Sequence, residues 1–374
     1  MNITWCTTRH FNSDFCSTTQ VEVLNRLSAE GHNIRALGPD QPESQGQWEH
    51  VKIKQSNIKG RKGSSLANNI VKFLKQNLGG CNLLFVDWPL VGKVGAFADK
   101  KNIPWVCIDR SPPADSGLFA ALQSKVWRKA WKYVSISTEL KSCLGGTVVS
   151  KTHSEIISEK FGVKPEMLCV LMAGVNISQF NPKPDKKRLS GLNLVYHGRI
   201  DRNRGIMNLP LILERLLENE IDAKLHFIGD GDVYHLLENI SRSQPNLILH
   251  GKLEHEKIPE KISGYQVGLL PMPPIPVWSI ASPLKRSEYL ASGLVVLGVE
   301  HSGHHLPIDH SNKEWYTLIK QQDFVSESVA KLMNWNEKNN FNEMGLKSRK
   351  YAEENLDWSI TINTLTEWLH QRLE

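Results

Sequence analysis

Residues 282–293, SPLKRSEYLASG, combine an anion-binding feature with a carboxylate at a fixed spacing. They predict a short helix with Ser282 as N-cap, Pro283 in the first helical position and Gly293 as the left-handed stop. Free N–H groups at a helix start bind anions. Glu288 lies five residues past Pro283, roughly 7.5 Å along the axis, which is about the distance from a nucleotide's terminal phosphate to its ribose. The pattern predicts a nucleoside-diphosphate site.

Two arginines in the segment HGRIDRNRG, residues 197–205, are candidates for binding the diphosphate. The segment follows a predicted strand, and open α/β sheets bind ligands at the carboxyl ends of their strands. Arg199 and Arg204 in that position would neutralise a diphosphate and stabilise negative charge on a leaving group. The alternative is two solvated arginines beside Arg202 on a charged loop.

Glycines follow two predicted strands of the same region. Gly198 precedes the arginine pair, and IGDGD, residues 228–232, places Gly229 and Gly231 in a turn before a helix. Such turns are common, so the pattern predicts either a direct ligand contact or a close-packed wall beside one. In HGKL, residues 250–253, Leu253 is placed either at the edge of a nucleobase or in an ordinary loop.

The elements that position these residues alternate between strand and helix patterns, which predicts an α/β protein with parallel sheets. In the first half the predicted strands are 2–6, 33–37, 82–86, 105–108, 133–136 and 168–171, with helices at 18–30 and 65–76. In the second half they are 192–196, 224–228, 247–249, 267–270 and 294–299, with helices at 206–218 and 357–373.

A polar segment divides the two halves. It predicts a first domain at 1–176, a linker at 177–190 rich in proline and basic residues, and a second domain at 191–355. The last segment, 356–374, is an amphipathic helix that either crosses back to the first domain or packs on the second.

The motifs together resemble the family 4 retaining glycosyltransferases. The resemblance rests on HGRIDRNRG, IGDGD, HGKLEHEKIPE and SPLKRSEYLASGLVVLG in that order, and on AGVNISQFNP, residues 173–182. It covers the second half specifically and the first half only in layout. It implies the GT-B fold, two Rossmann-like doubly wound parallel-sheet domains facing a central cleft.

The resemblance also implies roles for individual residues. Arg199 and Arg204 would hold the donor diphosphate, and Glu288 would bind the donor ribose. Arg204 occupies the position where the family usually has a lysine. The helix start would cradle phosphate, with Lys285 close by and Leu253 near the base; this start consists of Ser282, Pro283 and Leu284.

Two departures from the family pattern concern the sugar and the first domain. Ile280 stands where the family carries a Glu that commonly contacts the donor sugar. Some subgroups with a Ser-Pro-Leu-Lys-x-x-Glu-Tyr form lack that Glu, and this chain resembles them. The loop 7–13 lacks the usual pair of glycines after the first strand. The identity of the sugar is therefore open.

The first domain is expected to supply the acceptor side. Asp109 and Arg110 end a predicted strand and are candidates for contact with the reacting sugar or acceptor, the alternative being a strand-end Asp that caps a turn. The basic stretch 125–132, KVWRKAWK, predicts either a helix resting on anionic lipid or core tryptophans with solvated lysines opposite.

Composition and charge limit the classes of partner and site that this protein can have. The net charge of +6 favours anionic partners, no segment reaches the length of a membrane span, and six scattered cysteines without a C-x-x-C pair argue against a zinc site or disulfides. No secretory signal is visible at the N-terminus, so we expect a cytoplasmic protein, and peripheral contact with the inner face of the membrane is left open. No nucleic-acid motif occurs, so we expect no binding to nucleic acid.

These observations predict a glycosyltransferase. A nucleoside-diphosphate-sugar would be the co-substrate with no metal cofactor, and the sugar would pass with retention to a glycan, lipid-linked or small-molecule acceptor, in cell-surface glycan or glycolipid biosynthesis. The alternatives are a nucleotide-sugar epimerase or hydrolase on the same fold, and a non-catalytic nucleotide-sugar-binding protein.

Overall fold

A computed structural model describes residues 1–11, 17–40, 46–58, 60–110, 113, 118–182, 190–309 and 311–374. Contacts divide the chain into two units: residues 1–172 with 358–374, and residues 173–357. The domain limits drawn from the sequence stay predictions, and residues 183–189 of the predicted linker lie outside the described part.

The first unit is built on a seven-stranded sheet whose strands all pair in parallel, in the order β3-β2-β1-β4-β5-β6-β7. Its strands are β1 Asn2–Cys6, β2 Asn33–Gly38, β3 Glu49–Lys52, β4 Leu83–Asp87, β5 Trp105–Ile108, β6 Cys143–Val148 and β7 Leu168–Val170. Its helices are α1 Ser17–Ala29, α2 Lys62–Asn77, α3 Ala96–Lys100, α4 Leu118–Leu140 and α5 Lys151–Phe161.

The second unit is built on a six-stranded sheet, again with parallel pairs throughout, in the order β10-β9-β8-β11-β12-β13. Its strands are β8 Leu192–His197, β9 Ala223–Ile228, β10 Leu247–Leu249, β11 Val267–Leu270, β12 Val295–Val299 and β13 Tyr316–Ile319. Its helices are α6 Asn208–Glu218, α7 Tyr234–Ser243, α8 Ile258–Ile262, α9 Pro276–Ser279, α10 Leu284–Ala291, α11 Phe324–Lys338 and α12 Phe341–Asn355.

The last helix, α13 Trp358–Leu373, belongs to the first unit, where it packs against α1, β6 and β7. Its apolar stripe is buried, and the Trp368 indole donates a hydrogen bond to the carbonyl oxygen of Glu166 at 3.1 Å. The amphipathic pattern seen in the sequence therefore marks a packed face.

The predicted strand at 133–136 is wrong, because those residues lie inside α4. The β-branched and aromatic residues there suggested a strand, yet the buried positions Ala130, Trp131, Val134 and Ser137 follow a helical spacing. The sequence also gave no signal for β3, β6 or β13. The remaining predicted strands occur within about one residue of their observed bounds, and the predicted parallel α/β architecture is confirmed.

Each sheet reverses its strand order once. The reversal lies between β1 and β4 in the first unit and between β8 and β11 in the second. Loops that leave neighbouring strands in opposite directions open a crevice at such a point, and ligands of doubly wound sheets bind there. Among the described residues, no helix is long and apolar enough to cross a membrane.

Candidate nucleotide site in the second unit

The residues predicted to bind a nucleotide gather at the reversal point between β8 and β11. Gly198 and Arg199 follow β8. Gly229 follows β9, the strand that pairs with β8 on the side away from β11. The loop after β11 leads through α9 to α10, which carries Lys285 and Glu288. The structure therefore brings these segments to one edge of one sheet, although they are far apart in sequence.

Glu288 is buried, and its carboxylate lies between two histidines. The Nε2 of His255 donates a hydrogen bond to Oε1 at 2.7 Å, and the Nε2 of His197 lies 3.1 Å from Oε2. Burial opposes ionisation of this carboxyl, but the two imidazoles outweigh burial and hold the pKa of Glu288 below its usual range. Glu288 is therefore a carboxylate prepared to accept hydrogen bonds.

Lys285 is a buried lysine beside Glu288 on the same helix. Its Nζ donates to the hydroxyl of Tyr196 at 3.0 Å and lies 4.3 Å from the centre of that ring. Burial, reinforced by the charge of Arg204, pulls the pKa of Lys285 well below its usual range. A lysine held this way gains stabilisation from an incoming anion such as a phosphate.

The two arginines of the HGRIDRNRG segment share the acid Asp201. Arg199 donates to both carboxylate oxygens, from Nε at 2.7 Å and from Nη2 at 3.2 Å. Arg204 keeps its Nε 3.7 Å from Asp201, and its guanidinium lies 4.5 Å from the ring centre of Trp278. Arg199 has half of its side chain exposed, whereas Arg204 is mostly enclosed, so Arg204 is the more buried of the two cations and Arg199 is the one more closely bound to Asp201.

The glycine turns at the ends of β8 and β9 are steric requirements. A Cβ on Gly229, whose φ is +143°, would lie 1.9 Å from the carbonyl oxygen of Gly198, and one on Gly231 would lie 2.3 Å from that of Ile200. Gly198 itself, with φ +117°, would bring a Cβ to 3.1 Å from Nζ of Lys285. The three glycines let the loops and Lys285 approach one another closely; any direct ligand contact stays a prediction.

The start of α10 differs from the prediction. The helix begins at Leu284, so Pro283 is its N-cap and not its first residue, and no side chain caps it. The predicted cap by Ser282 is wrong, because its hydroxyl accepts a hydrogen bond from the Ala173 amide at 3.1 Å. The N–H groups of the first turn therefore lack a competing side-chain acceptor. Gly293, at φ +70°, confirms the predicted left-handed stop.

Comparisons with known proteins agree with this arrangement. Residues 191–335 match the family described as "Glycosyl transferases group 1". A search of curated proteins finds no match. Among solved structures, the chain is similar to a sucrose-phosphate synthase from Thermosynechococcus elongatus, with a TM-score of 0.77 at 15% identity, covering 99% of this chain and 98% of the other.

Two further structures are similar over nearly their whole length. WaaG, a glycosyltransferase involved in lipopolysaccharide biosynthesis, has a TM-score of 0.70 at 13% identity, covering 94% of this chain and 95% of WaaG. Anabaena HepE in complex with UDP-glucose has a TM-score of 0.71 at 11% identity, covering 99% and 100%. The fold is GT-B.

Ile280, the residue that departs from the family pattern, is buried in the second unit. Ile280 directly follows α9 as its C-cap and is 7% exposed, before the loop that leads to α10. An apolar side chain here offers no hydrogen bond to a sugar hydroxyl. Leu253, predicted to lie near the base, is half-buried and packs against the core of the second unit, so its contact with a base stays a prediction.

In the first unit, Asp109 is completely buried. Its Oδ2 accepts hydrogen bonds from the indoles of Trp127 at 2.6 Å and Trp131 at 2.9 Å, and Nε2 of His153 lies 3.4 Å away. Burial opposes ionisation, but His153 and the indole donors hold the pKa of Asp109 below its usual range. The described contacts of Asp109 are those of an anchor between β5, α4 and α5.

Arg110, next along the chain, donates from Nη1 to the Leu171 carbonyl oxygen at 2.6 Å. The roles of Asp109 and Arg110 toward an acceptor stay predictions. The reversal point of this sheet instead presents Asp87, which accepts hydrogen bonds from the Trp5 indole and from Thr7 and Thr8.

Sequence reasoning missed the partners of the site. The sequence motifs predict no role for His197, His255 or Tyr196. The available signal was position: His197 and Tyr196 end β8 within the same motif as Arg199, and His255 lies within HGKLEHEKIPE. Within the described ranges, no group of three or more His, Cys, Asp or Glu residues is arranged to hold a metal ion.

Proposed function

We propose that this protein is a glycosyltransferase that uses a nucleoside-diphosphate-sugar donor. The observation that carries the proposal is the meeting of Arg204, Lys285 and Glu288 at the reversal point of a sheet whose residues 191–335 match the glycosyl transferases group 1 family. Cations beside a helix start suit a diphosphate, and an ionised carboxylate suits the ribose hydroxyls.

We extend the proposal to the reaction course. The departing diphosphate would be stabilised by Arg199, Arg204 and the amides at the start of α10. The acceptor hydroxyl would attack from the same face and give its proton to the leaving phosphate, so that configuration is retained without a protein nucleophile. Positioning and electrostatics would then supply most of the rate enhancement, and no metal would be required.

A thermal-shift screen of nucleoside diphosphates and their sugars tests the donor site. HepE, similar in fold, has been captured with UDP and with UDP-glucose, so UDP is the first ligand, with GDP and ADP beside it. A ligand at about 100 times its Kd is expected to stabilise the protein by about 2.7 kcal/mol. The absence of a shift with every nucleotide would contradict the proposal.

Two other functions are separated from transfer by product analysis. Free sugar or an epimer formed without acceptor would indicate a hydrolase or epimerase. Ile280 favours a non-catalytic nucleotide-sugar binder as the second candidate, because it removes a polar sugar contact. Tight donor binding without turnover over a broad panel of glycan, lipid-linked and small-molecule acceptors would support that candidate. A pathway in cell-surface glycan or glycolipid synthesis remains part of the proposal.

We further propose peripheral contact between α4 and an anionic membrane surface, as at the inner face of a cytoplasmic membrane. Trp127 and Trp131 face inward to Asp109, so the lipid-facing candidates are exposed apolar residues and the lysines between them. The apolar set is Leu122, Val126, Ile136 and Leu140, at 52%, 38%, 52% and 74% exposed. The basic set is Lys125, Arg128, Lys129 and Lys132.

Vesicle co-sedimentation checks this contact. The protein is expected to bind vesicles containing phosphatidylglycerol, to release them at high salt, and to ignore pure phosphatidylcholine. Lys125→Glu with Lys129→Glu should abolish binding, whereas Lys350→Glu, at an exposed lysine of α12 in the second unit, should not. Equal binding by both variants would contradict the assignment to α4.

A further inference from the structure

The carboxylate of Glu288 is covered by other side chains. Its side chain is only 4% exposed, and an imidazole nitrogen contacts each of its two oxygens, His255 at Oε1 and His197 at Oε2. A ribose offers two neighbouring hydroxyl donors, which need carboxylate lone pairs within hydrogen-bond reach. One of the two imidazoles must therefore move before a ribose reaches this carboxylate.

The two histidines differ in their freedom to move. His197 ends a central strand, its backbone N–H donates to the Tyr289 hydroxyl at 3.0 Å, and its ring packs edge-on against the ring of Tyr289. The pairing of its strand and the two contacts with Tyr289 of α10 therefore restrain His197.

His255 lies much closer to solvent. It begins a single 3₁₀ turn, His255–Lys257, between β10 and α8, and its side chain is 42% exposed. Its neighbours Glu254, Glu256 and Lys257 are exposed as well. A ring contact with Phe180, with centroids 5.6 Å apart, supports its present position. Of the two imidazoles, His255 is therefore the one with room to move toward solvent.

Building on the proposed nucleotide site, we propose that His255 is a latch on Glu288 that the donor ribose displaces. In the free protein the His255 N–H satisfies the buried carboxylate; in the complex the ribose hydroxyls take over Oε1 while His197 keeps Oε2 oriented. Nucleotide binding then includes the breaking of one charge-assisted hydrogen bond, and only a ligand with ribose hydroxyls replaces it. His255 thereby competes with the ribose for Oε1, and its presence weakens the binding of a ribonucleotide.

The latch makes a specific prediction about affinity. Without His255, Glu288 has one unsatisfied oxygen in the free state, and no bond needs to be broken on binding. His255→Ala is expected to bind a ribonucleoside diphosphate about tenfold more tightly, which corresponds to about 1.4 kcal/mol. A 2′,3′-dideoxynucleoside diphosphate cannot take over the carboxylate and leaves His255 in place, so its affinity should be equal in wild type and variant.

Isothermal titration calorimetry with UDP, GDP, ADP and their 2′,3′-dideoxy forms measures both effects on the full chain. His255→Gln, whose amide still donates to Glu288, keeps the latch and should bind with about the wild-type affinity, more weakly than His255→Ala. His235→Ala, at an exposed histidine on α7, is the matched control and should bind as wild type does. Circular dichroism melting of each variant verifies that it is folded.

The outcomes separate the latch from the site on which it rests. A ribonucleotide Kd that is unchanged or weaker in His255→Ala, while wild type binds, overturns the latch and leaves the proposed function standing. An equal gain for the dideoxy ligand also overturns it, because the ribose would then not be involved. The absence of binding by wild type and variant alike overturns the proposed function and the latch together.

Discussion

Replacing Glu288 by alanine is expected to lower sugar transfer at least tenfold, a loss of about 1.4 kcal/mol of transition-state stabilisation. The expectation follows from its environment, since two imidazoles keep this buried group ionised. An ionised acceptor forms hydrogen bonds roughly twice as strong as a neutral one. Its loss removes the partner of the ribose hydroxyls and lets the nucleotide shift relative to the cations.

Two readouts separate binding from chemistry for this variant. Calorimetry gives the nucleoside-diphosphate Kd, and release of nucleoside diphosphate from the sugar donor gives turnover. Glu288→Gln keeps the shape and one acceptor and should fall between wild type and alanine. Glu214→Ala, at an exposed glutamate of α6, is the control for loss of an acid elsewhere in the unit. Unchanged Kd and turnover in Glu288→Ala would remove Glu288 from the site.

Replacing Arg204 by alanine is expected to lower turnover at least tenfold as well, about 1.4 kcal/mol, and to affect kcat more than KM. Negative charge grows on the diphosphate as the sugar departs, so a nearby cation stabilises the transition state more than the bound donor. Arg204 is suited to this role because Trp278 and Asp201 hold its guanidinium in place.

Substitution by lysine separates charge from geometry at this position. Arg204→Lys keeps the cation but loses the planar stacking on Trp278. It should therefore retain more activity than Arg204→Ala. Arg202→Ala removes an exposed arginine from the same turn and should behave as wild type. Wild-type kcat in Arg204→Ala would exclude Arg204 from charge stabilisation.

The sequence predicted those parts of the molecule that local pattern determines. Strand and helix alternation gave the parallel sheets, and the left-handed stop at Gly293 needed only the chain around it. Glu288 was selected by its spacing from Pro283 on one helix, and the structure places it in a buried, charged environment beside the arginine loop. Its role toward ribose still awaits the experiments above.

What the sequence could not predict depends on tertiary contacts. Nothing local shows that His255 reaches Glu288 across 33 residues, or that Ser282 turns from the helix to the Ala173 amide. The strand predicted at 133–136 failed for a related reason. Its residues have strand propensity, yet burial of Trp131, Val134 and Ser137 on one helical face outweighs it.

The grouping of the nucleotide-site residues within residues 173–357 has a consequence for how the protein can change over time. Every side chain assigned to the donor lies in this one unit, between strands that pair only with each other in the described chain. On the proposed function, donor recognition would be inherited with this unit as a block, and the first unit could change without disturbing it. The family match at residues 191–335 lies within the same unit.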